Sequence, residues 1–175
     1  MPVSAEARLG AKLADLKNEP LMTQFAIRAL IKGAASQARV YELSPLGTKV
    51  ADQIKMKLQF DAEERLIHVE MHISHAFQKE DPSAAKRYAA WFLLTQMPLQ
   101  DTAAIKPLAR EAEYRTESKN HHILGDIPEL PAKPTQGYQA LLGRATYSQS
   151  YKKSKLNVTQ TKSDGGWTKI RLEPR

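Results

Sequence analysis

Residues 54–74 read IKMKLQFDAEERLIHVEMHIS, and this stretch decides the fold class. Apolar and polar residues alternate strictly over 54–60 and again over 67–73, with a short polar segment at 61–64 between the two runs. Such alternation is typical of a strand with one buried and one solvated face, so the two runs predict an antiparallel hairpin. The apolar positions are Ile54, Met56, Leu58, Phe60, Ile67, Val69, Met71 and Ile73. These eight side chains lie on one face of the hairpin if the numbers of two directly opposite residues add up to an odd number, as for Met56 opposite Val69. A slip of one residue in the pairing would expose all of them.

A buried helix is predicted directly after the hairpin, over 82–97. Asp81 suits the N-cap and Pro82 suits the first helical position, and Pro98 ends the helix. Its segment 88–94 (YAAWFLL) is apolar on nearly every side. This indicates a helix that is buried against the apolar face of the hairpin.

Further elements are predicted on either side of this unit. Apolar spacing and capping residues favour N-terminal helices over 4–17 and 20–32, followed by a short strand over 38–43. Behind the buried helix, Pro107 is expected to begin a largely solvent-facing helix over 107–119.

The last third of the chain has a different character. Prolines recur at every third position over 128–134, which favours an extended, stiff connector over 120–137. Polar but β-rich runs follow at 144–151, 155–162 and 167–172. Because these runs carry too little apolar surface to fold alone, we expect them to pack on the core or on a partner.

These elements together predict an α+β fold. It comprises N-terminal helices, an antiparallel sheet built on a hairpin within 49–76, the buried helix 82–97 and a basic β-rich extension. The expected organisation is a core domain over 1–119, the connector over 120–137 and the extension over 138–175. We also expect that residues 152–175 can be removed without unfolding the core.

Composition excludes several classes of protein. The chain has 175 residues, of which 42% are hydrophobic and 26% charged, and this is typical of a globular protein. It contains no cysteine, so disulfides, thiolate metal sites and cysteine nucleophiles are excluded. The first residues lack the apolar segment of a secretory signal, and no apolar run approaches the length of about 18 residues that spans a membrane. We therefore expect a cytoplasmic protein with no membrane partner.

The net charge of +7 is concentrated near the C-terminus. Residues 1–131 carry 17 basic and 17 acidic side chains, whereas residues 132–175 carry nine basic and two acidic ones. Such asymmetry indicates a polyanion partner, most often nucleic acid. A solvated basic tail that only aids solubility would give the same pattern.

Few residues are spaced for catalysis. His68, Glu70 and His72 lie at alternate positions of one strand, and such side chains can bind zinc, iron or manganese. A flat row needs further ligands from elsewhere, and Lys55 and Lys57 across the hairpin favour a lysine-paired Glu70 on an exposed face. The sequence has no glycine-rich phosphate loop and no nucleophile elbow. We therefore expect no metal site, no cofactor and no catalytic residue, and a metal-dependent enzyme is the weakest hypothesis.

Basic and aromatic residues interleave in the extension. Cations neutralise phosphates and flat rings stack on unpaired bases, so this pattern predicts binding of single-stranded nucleic acid or RNA, with the choice between RNA and DNA left open. The predicted nucleic-acid-binding residues are Arg144, Tyr147, Tyr151, Lys152, Lys153, Lys155, Lys162, Trp167, Lys169 and Arg171. The function predicted from them is that of a non-catalytic subunit in a larger nucleoprotein assembly. The alternative is a scaffold protein whose basic extension docks an acidic protein partner.

Overall fold

Seven strands of this protein form one antiparallel sheet in the order β1-β2-β3-β4-β7-β6-β5. The structure is a computed structural model, and it describes residues 9–12, 25–32, 39–45, 50, 52–115 and 130–175. The strands are β1 (Phe25–Lys32), β2 (Arg39–Pro45), β3 (Ile54–Phe60), β4 (Leu66–Ser74), β5 (Tyr147–Ser150), β6 (Ser154–Thr161) and β7 (Trp167–Pro174). Helices accompany the sheet, so the predicted α+β class is confirmed.

The helices are α1 (His75–Glu80), α2 (Pro82–Gln96), α3 (Thr102–Tyr114) and α4 (Gln136–Leu141). The N-terminus of α2 is the predicted one, because the Asp81 carboxylate accepts a hydrogen bond of 3.0 Å from the Ala84 N–H and Pro82 occupies the first turn. Phe92 and Leu93 of α2 are fully buried in a common core with the apolar side chains of β3 and β4. Within the described ranges, no helix has the length and apolar character needed to cross a membrane.

The predicted hairpin is present as β3 and β4. Every second residue of β3 is buried, from Ile54 to Phe60. Odd sums hold along most of the hairpin, but the register places Met56 opposite Met71, and Val69 lies opposite Leu58 instead. The example pairing of Met56 with Val69 is therefore wrong by two residues.

A bulge near the hairpin turn changes which residue is buried there. The Asp61 carboxylate accepts hydrogen bonds of 2.9 Å from the N–H groups of Glu63 and Arg65, which fixes a loop over 61–65. Phe60 then pairs with Leu66, and the register shifts between Gln59 and Phe60. As a result Leu66 is fully buried, whereas Ile67, which was predicted to be buried, is partly exposed.

The helix predicted over 20–32 is wrong for residues 25–32, which form β1; residues 20–24 lie outside the described residues. β1 pairs with β2 and its register shifts between Ile27 and Ala29. A bulge breaks the alternation of period two, which is why the apolar spacing of this run resembles that of a helix. The short strand predicted over 38–43 is confirmed as β2.

Of the helix predicted over 4–17, the described residues 9–12 form a turn and an isolated bridge between Lys12 and Arg65. The other residues of that prediction, 4–8 and 13–17, lie outside the described ones.

The helix predicted to begin at Pro107 begins earlier, at Thr102, and Pro107 lies inside it. Proline removes one backbone hydrogen bond there. Ile105 and Ala109 on either side are fully buried, so packing on the core keeps this segment helical. The helix ends at Tyr114, and residues 116–119 of the prediction lie outside the described residues.

The β-rich runs of the C-terminal region are confirmed as β5, β6 and β7, and they continue the same sheet. β7 pairs with β4, with Ile170 opposite Met71. Ile170 and Leu172 are fully buried, as are Leu156 and Val158 of β6. Deletion of 152–175 would remove an interior strand and expose the core, so the expectation that the core survives this truncation does not hold.

Two buried carboxylates tie the helices to the C-terminal strands. Asp101, at the start of α3, accepts hydrogen bonds from the Lys153 N–H at 3.0 Å and from the Ser154 hydroxyl at 2.7 Å. Glu111 of α3 accepts from the Thr135 hydroxyl at 2.7 Å and from the Arg115 Nε at 3.0 Å. Thr135 is the N-cap of α4, so residues 136 and 137 of the predicted connector are helical and not extended, and the chain just before them is held against α3. Of that connector, residues 120–129 lie outside the described ones.

A chain of polar side chains links α1 to β6 and β7. The Gln160 amide donates to the carbonyl groups of Ala140 and Ala145 at 2.9 and 2.8 Å, so its oxygen is an acceptor. That oxygen lies 2.9 Å from the His75 Nε2, which must therefore carry the ring proton, and 2.7 Å from the Thr168 hydroxyl. The imidazole of His75 is thus held in one orientation against the turn before β7.

The hairpin faces are tested by Val69→Lys and His68→Ala. Val69 is fully buried and His68 is partly exposed. We expect Val69→Lys to lower the free energy of unfolding by about 4 kcal/mol, since it buries an unpaired charge. His68→Ala should cost about 1 kcal/mol or less. Urea denaturation of both variants checks this, and equal losses would contradict the assignment of the two faces.

The turn before β7 is tested by a matched pair of glycines. Gly165 and Gly166 both have positive φ, at 86° and 93°, but a Cβ on Gly166 would lie 2.3 Å from the His75 Nδ1, whereas a Cβ on Gly165 meets nothing within 4 Å. We expect Gly165→Ala to cost about 1 kcal/mol and Gly166→Ala about 3 kcal/mol in unfolding free energy. Adding His75→Ala to Gly166→Ala should recover part of that loss. Equal costs for the two glycines would show that the close approach to His75 has no energetic weight.

Candidate functional site

The face of the sheet opposite the helices, here called the polar face, carries the charged side chains of four neighbouring strands. The backbone register aligns Lys55, His72 and Lys169 in one row across β3, β4 and β7, and Lys57, Glu70 and Arg171 in the next row. These side chains are all partly buried, whereas their neighbours along each strand lie in the core. The polar face therefore follows from the same alternation that buries the apolar residues.

Glu70 lies at the centre of this charged group. Its carboxylate accepts a hydrogen bond of 2.9 Å from the His72 Nε2 and lies 3.7 Å from the Arg171 Nε and 4.0 Å from the Lys169 Nζ. The hydrogen bond from His72, followed by the charges of Lys169 and Arg171, lowers the pKa of Glu70 despite its burial. The lysine partner predicted for Glu70 is thus present, but it comes from β7 and not from β3.

His68, the first residue of the predicted row, has a different partner from His72. An Arg171 Nη2 donates to the His68 Nδ1. Burial, followed by the charge of Arg171, lowers the pKa of His68, which keeps the ring neutral and its Nδ1 an acceptor. Across the residues for which the structure gives positions, no group of three or more His, Asp or Glu side chains is arranged to hold a metal ion.

A cleft of about 240 Å³ opens at the end of the polar face next to the turn between β6 and β7. Its lining combines cations, a large ring, hydroxyl groups and one carboxylate: Lys55, Lys57, His72, Thr161, Ser163, Asp164, Trp167 and Lys169. The Lys55 Nζ lies 5.2 Å from the centre of the Trp167 ring, in the range of a cation–π contact. Such a lining suits a ligand that has both negative charge and a flat ring.

The structure brings together about half of the predicted nucleic-acid-binding residues. Lys155, Trp167, Lys169 and Arg171 lie on the polar face, and Lys162 is exposed in the turn beside the cleft. Lys152 and Lys153 are exposed in the turn between β5 and β6, at the other end of β6. Arg144 is exposed in the loop before β5 and donates to the Gln139 side chain at 3.3 Å.

Tyr147 and Tyr151 lie on the helical side of the sheet. Tyr147 pairs with the buried Val158, and both tyrosines pack against the core. Burial raises the pKa of the Tyr151 phenol, and the neighbouring Tyr147 and Asp101 raise it further. These rings are therefore separated from Trp167 by the thickness of the sheet.

Lys55, Lys57 and His72 complete the cleft and were absent from the predicted site. Their alternation already places them on the polar side of the hairpin. What joins them to Trp167 and Lys169 is the pairing of β4 with β7, which no local pattern in the sequence indicates.

Known proteins give no further guide to the use of this cleft. No protein-family model matches the chain. No curated protein and no solved structure shows a significant match to it either.

Proposed function

We propose that this protein binds single-stranded nucleic acid along its polar face, without catalysing a reaction, as a subunit of a larger nucleoprotein assembly. The observation that carries the proposal is a cleft whose lining includes Lys55, Lys57, Lys169 and Trp167, with the Lys55 ammonium against the Trp167 ring. Lysine ammonium groups neutralise phosphates and release counterions, and an aromatic ring offers a stacking surface to an unpaired base. An antiparallel sheet surface with both features is a common platform for single strands.

The surroundings of the cleft support a path for a chain of phosphates. Lys57, Lys155 and Lys162 form no hydrogen bond or ion pair with the described side chains. The register places Glu70 opposite Lys57 and Glu173 opposite Lys155, so a strand of phosphates would compete with these carboxylates for the lysines. Lys155 lies on β6 six residues before Thr161 of the cleft, and Lys162 lies in the adjoining turn. At a rise of about 3.4 Å per residue, β6 alone spans roughly 25 Å, enough for several nucleotides.

An acidic protein partner remains the second candidate, because the same lysines would attract carboxylates. The two functions differ in the role of Trp167. An unpaired base stacks on the ring, whereas an acidic peptide needs the cations alone.

The proposal is tested by Lys57→Gln, with Lys106→Gln as its matched control. Lys106 is exposed on α3, on the opposite side of the sheet, so both variants lose one lysine charge. We expect ten-nucleotide single strands to bind with log K falling against log salt at a slope near −3.5, about −0.7 for each of the three cleft lysines and for Lys155 and Lys162. Lys57→Gln should make the slope less steep by about 0.7, and Lys106→Gln should leave it unchanged. Fluorescence anisotropy at two or more salt concentrations measures both slopes.

Trp167→Ala separates stacking from simple charge attraction. We expect it to weaken single-strand binding by about tenfold and to change duplex binding much less, because stacking needs an unpaired base. A melting curve of the variant controls for loss of the fold. Salt-insensitive binding, or equal effects of Lys57→Gln and Lys106→Gln, would contradict the proposal. Unchanged single-strand binding in Trp167→Ala would leave the acidic-partner function as the better account.

A further inference from the structure

A carboxylate stands among the cations of the cleft. Asp164 lies in the turn Ser163–Gly165 and has φ 51°, a left-handed conformation that aspartate tolerates better than most residues. Its side chain forms no ion pair or hydrogen bond with another residue in the described part of the chain, although lysines line the same cleft. The carboxylate is exposed to solvent and has no donor among the described residues, in a cleft otherwise lined by cations.

A phosphate alone would not make use of this arrangement, since a carboxylate repels it. An ionised carboxylate can only accept hydrogen bonds, so its natural counterpart on a ligand is a hydroxyl or amino group. Thr161 and Ser163 line the same cleft; the Thr161 hydroxyl donates to the Trp167 carbonyl at 3.5 Å and can still accept, and the Ser163 hydroxyl can do both. The lining as a whole therefore matches a ligand with an anionic group, a flat ring and a polar hydrogen-bond donor.

A ribonucleotide has these three parts. We propose that the cleft holds one ribonucleotide of a bound strand, with its phosphate near Lys57 and Lys169, its base against Trp167 and its 2′-hydroxyl donating to the Asp164 carboxylate. This inference rests on the proposed function and adds that the protein prefers RNA to DNA. The 2′-hydroxyl is the group by which a protein can distinguish the two polymers at a given site.

The test compares ten-nucleotide oligomers that differ only at the 2′ position. Labelled oligouridylate, oligo-deoxyuridylate and 2′-O-methyl oligouridylate carry the same base and the same charge. We expect the native protein to bind oligouridylate about tenfold more tightly than either of the others, the value of one charge-assisted hydrogen bond. The 2′-O-methyl oligomer keeps the oxygen but has lost the donor, so it should behave like the deoxy oligomer.

Two substitutions of Asp164 connect the preference to this residue. Asp164→Gly removes the acceptor and suits the positive φ, and we expect the ribose-to-deoxyribose affinity ratio to fall close to one. Asp164→Asn keeps an acceptor oxygen and also suits the positive φ, so it should retain a ratio of several-fold. Glu113→Ala, which removes an exposed carboxylate from α3, is the charge-matched control and should leave the ratio at about tenfold. Removal of one negative charge raises affinity for every oligomer, so the ratio and not the affinity is the readout.

The outcomes separate this inference from the proposed function. Salt-dependent binding of oligouridylate and oligo-deoxyuridylate with equal affinity would overturn the ribose contact and leave the proposed function in place. A preference for RNA that persists in Asp164→Gly would also overturn it, because the discrimination would then lie elsewhere. Absence of binding to all three oligomers would overturn both. A preference that is lost in Asp164→Gly and kept in Glu113→Ala would support the inference.

Discussion

The pairing of β4 with β7 is the contact on which the rest of the molecule depends. β4 belongs to a hairpin that could not bury its apolar face alone, and β7 brings two fully buried residues, Ile170 and Leu172, to the edge of that hairpin. The same pairing places Lys169 and Arg171 beside Glu70 on the other face. The register of this one strand pair therefore determines both the core and the charged surface. A slip of one residue would expose the apolar side chains of β7 and bury its charged ones.

The elements formed by local patterns could be predicted from the sequence. The alternation over 54–60 gave the hairpin and its faces, and Asp81 with Pro82 gave the start of α2. The predictions are wrong where a local irregularity in a strand changes the spacing of its apolar residues. The apolar residues of β1, which contains a bulge, are spaced like those on one face of a helix. The bulge beside Phe60 buries Leu66 in the core, where Ile67 was predicted to be buried. Pro107 suits the first turn of a helix and so predicts a helix start, yet burial of Ile105 and Ala109 keeps it within a helix.

The candidate site could be predicted only in part, for a different reason. The excess charge of residues 132–175 pointed to the C-terminal region, but the cleft is composite and takes Lys55, Lys57 and His72 from the electrically balanced region before it. Parity along a strand indicates which residues share a face, and this was enough to place the hairpin lysines. Parity does not indicate which strand pairs with the edge of the hairpin. For Tyr147 and Tyr151 the face itself could not be predicted, because polar and aromatic residues in and beside a short strand give little sign of which face is buried.

The distance along the chain between β4 and β7 also determines when this protein can fold. Met71 and Ile170, which pair directly, are about 100 residues apart in sequence. At synthesis rates of roughly 5–20 residues per second, the β4 edge waits about 5–20 s for its partner strand to be made. During that time an apolar hairpin edge is open to other chains, and closing so long a loop is slow even after release. A protein built in this way completes its core last, and its hairpin edge is prone to aggregation until β7 has been made.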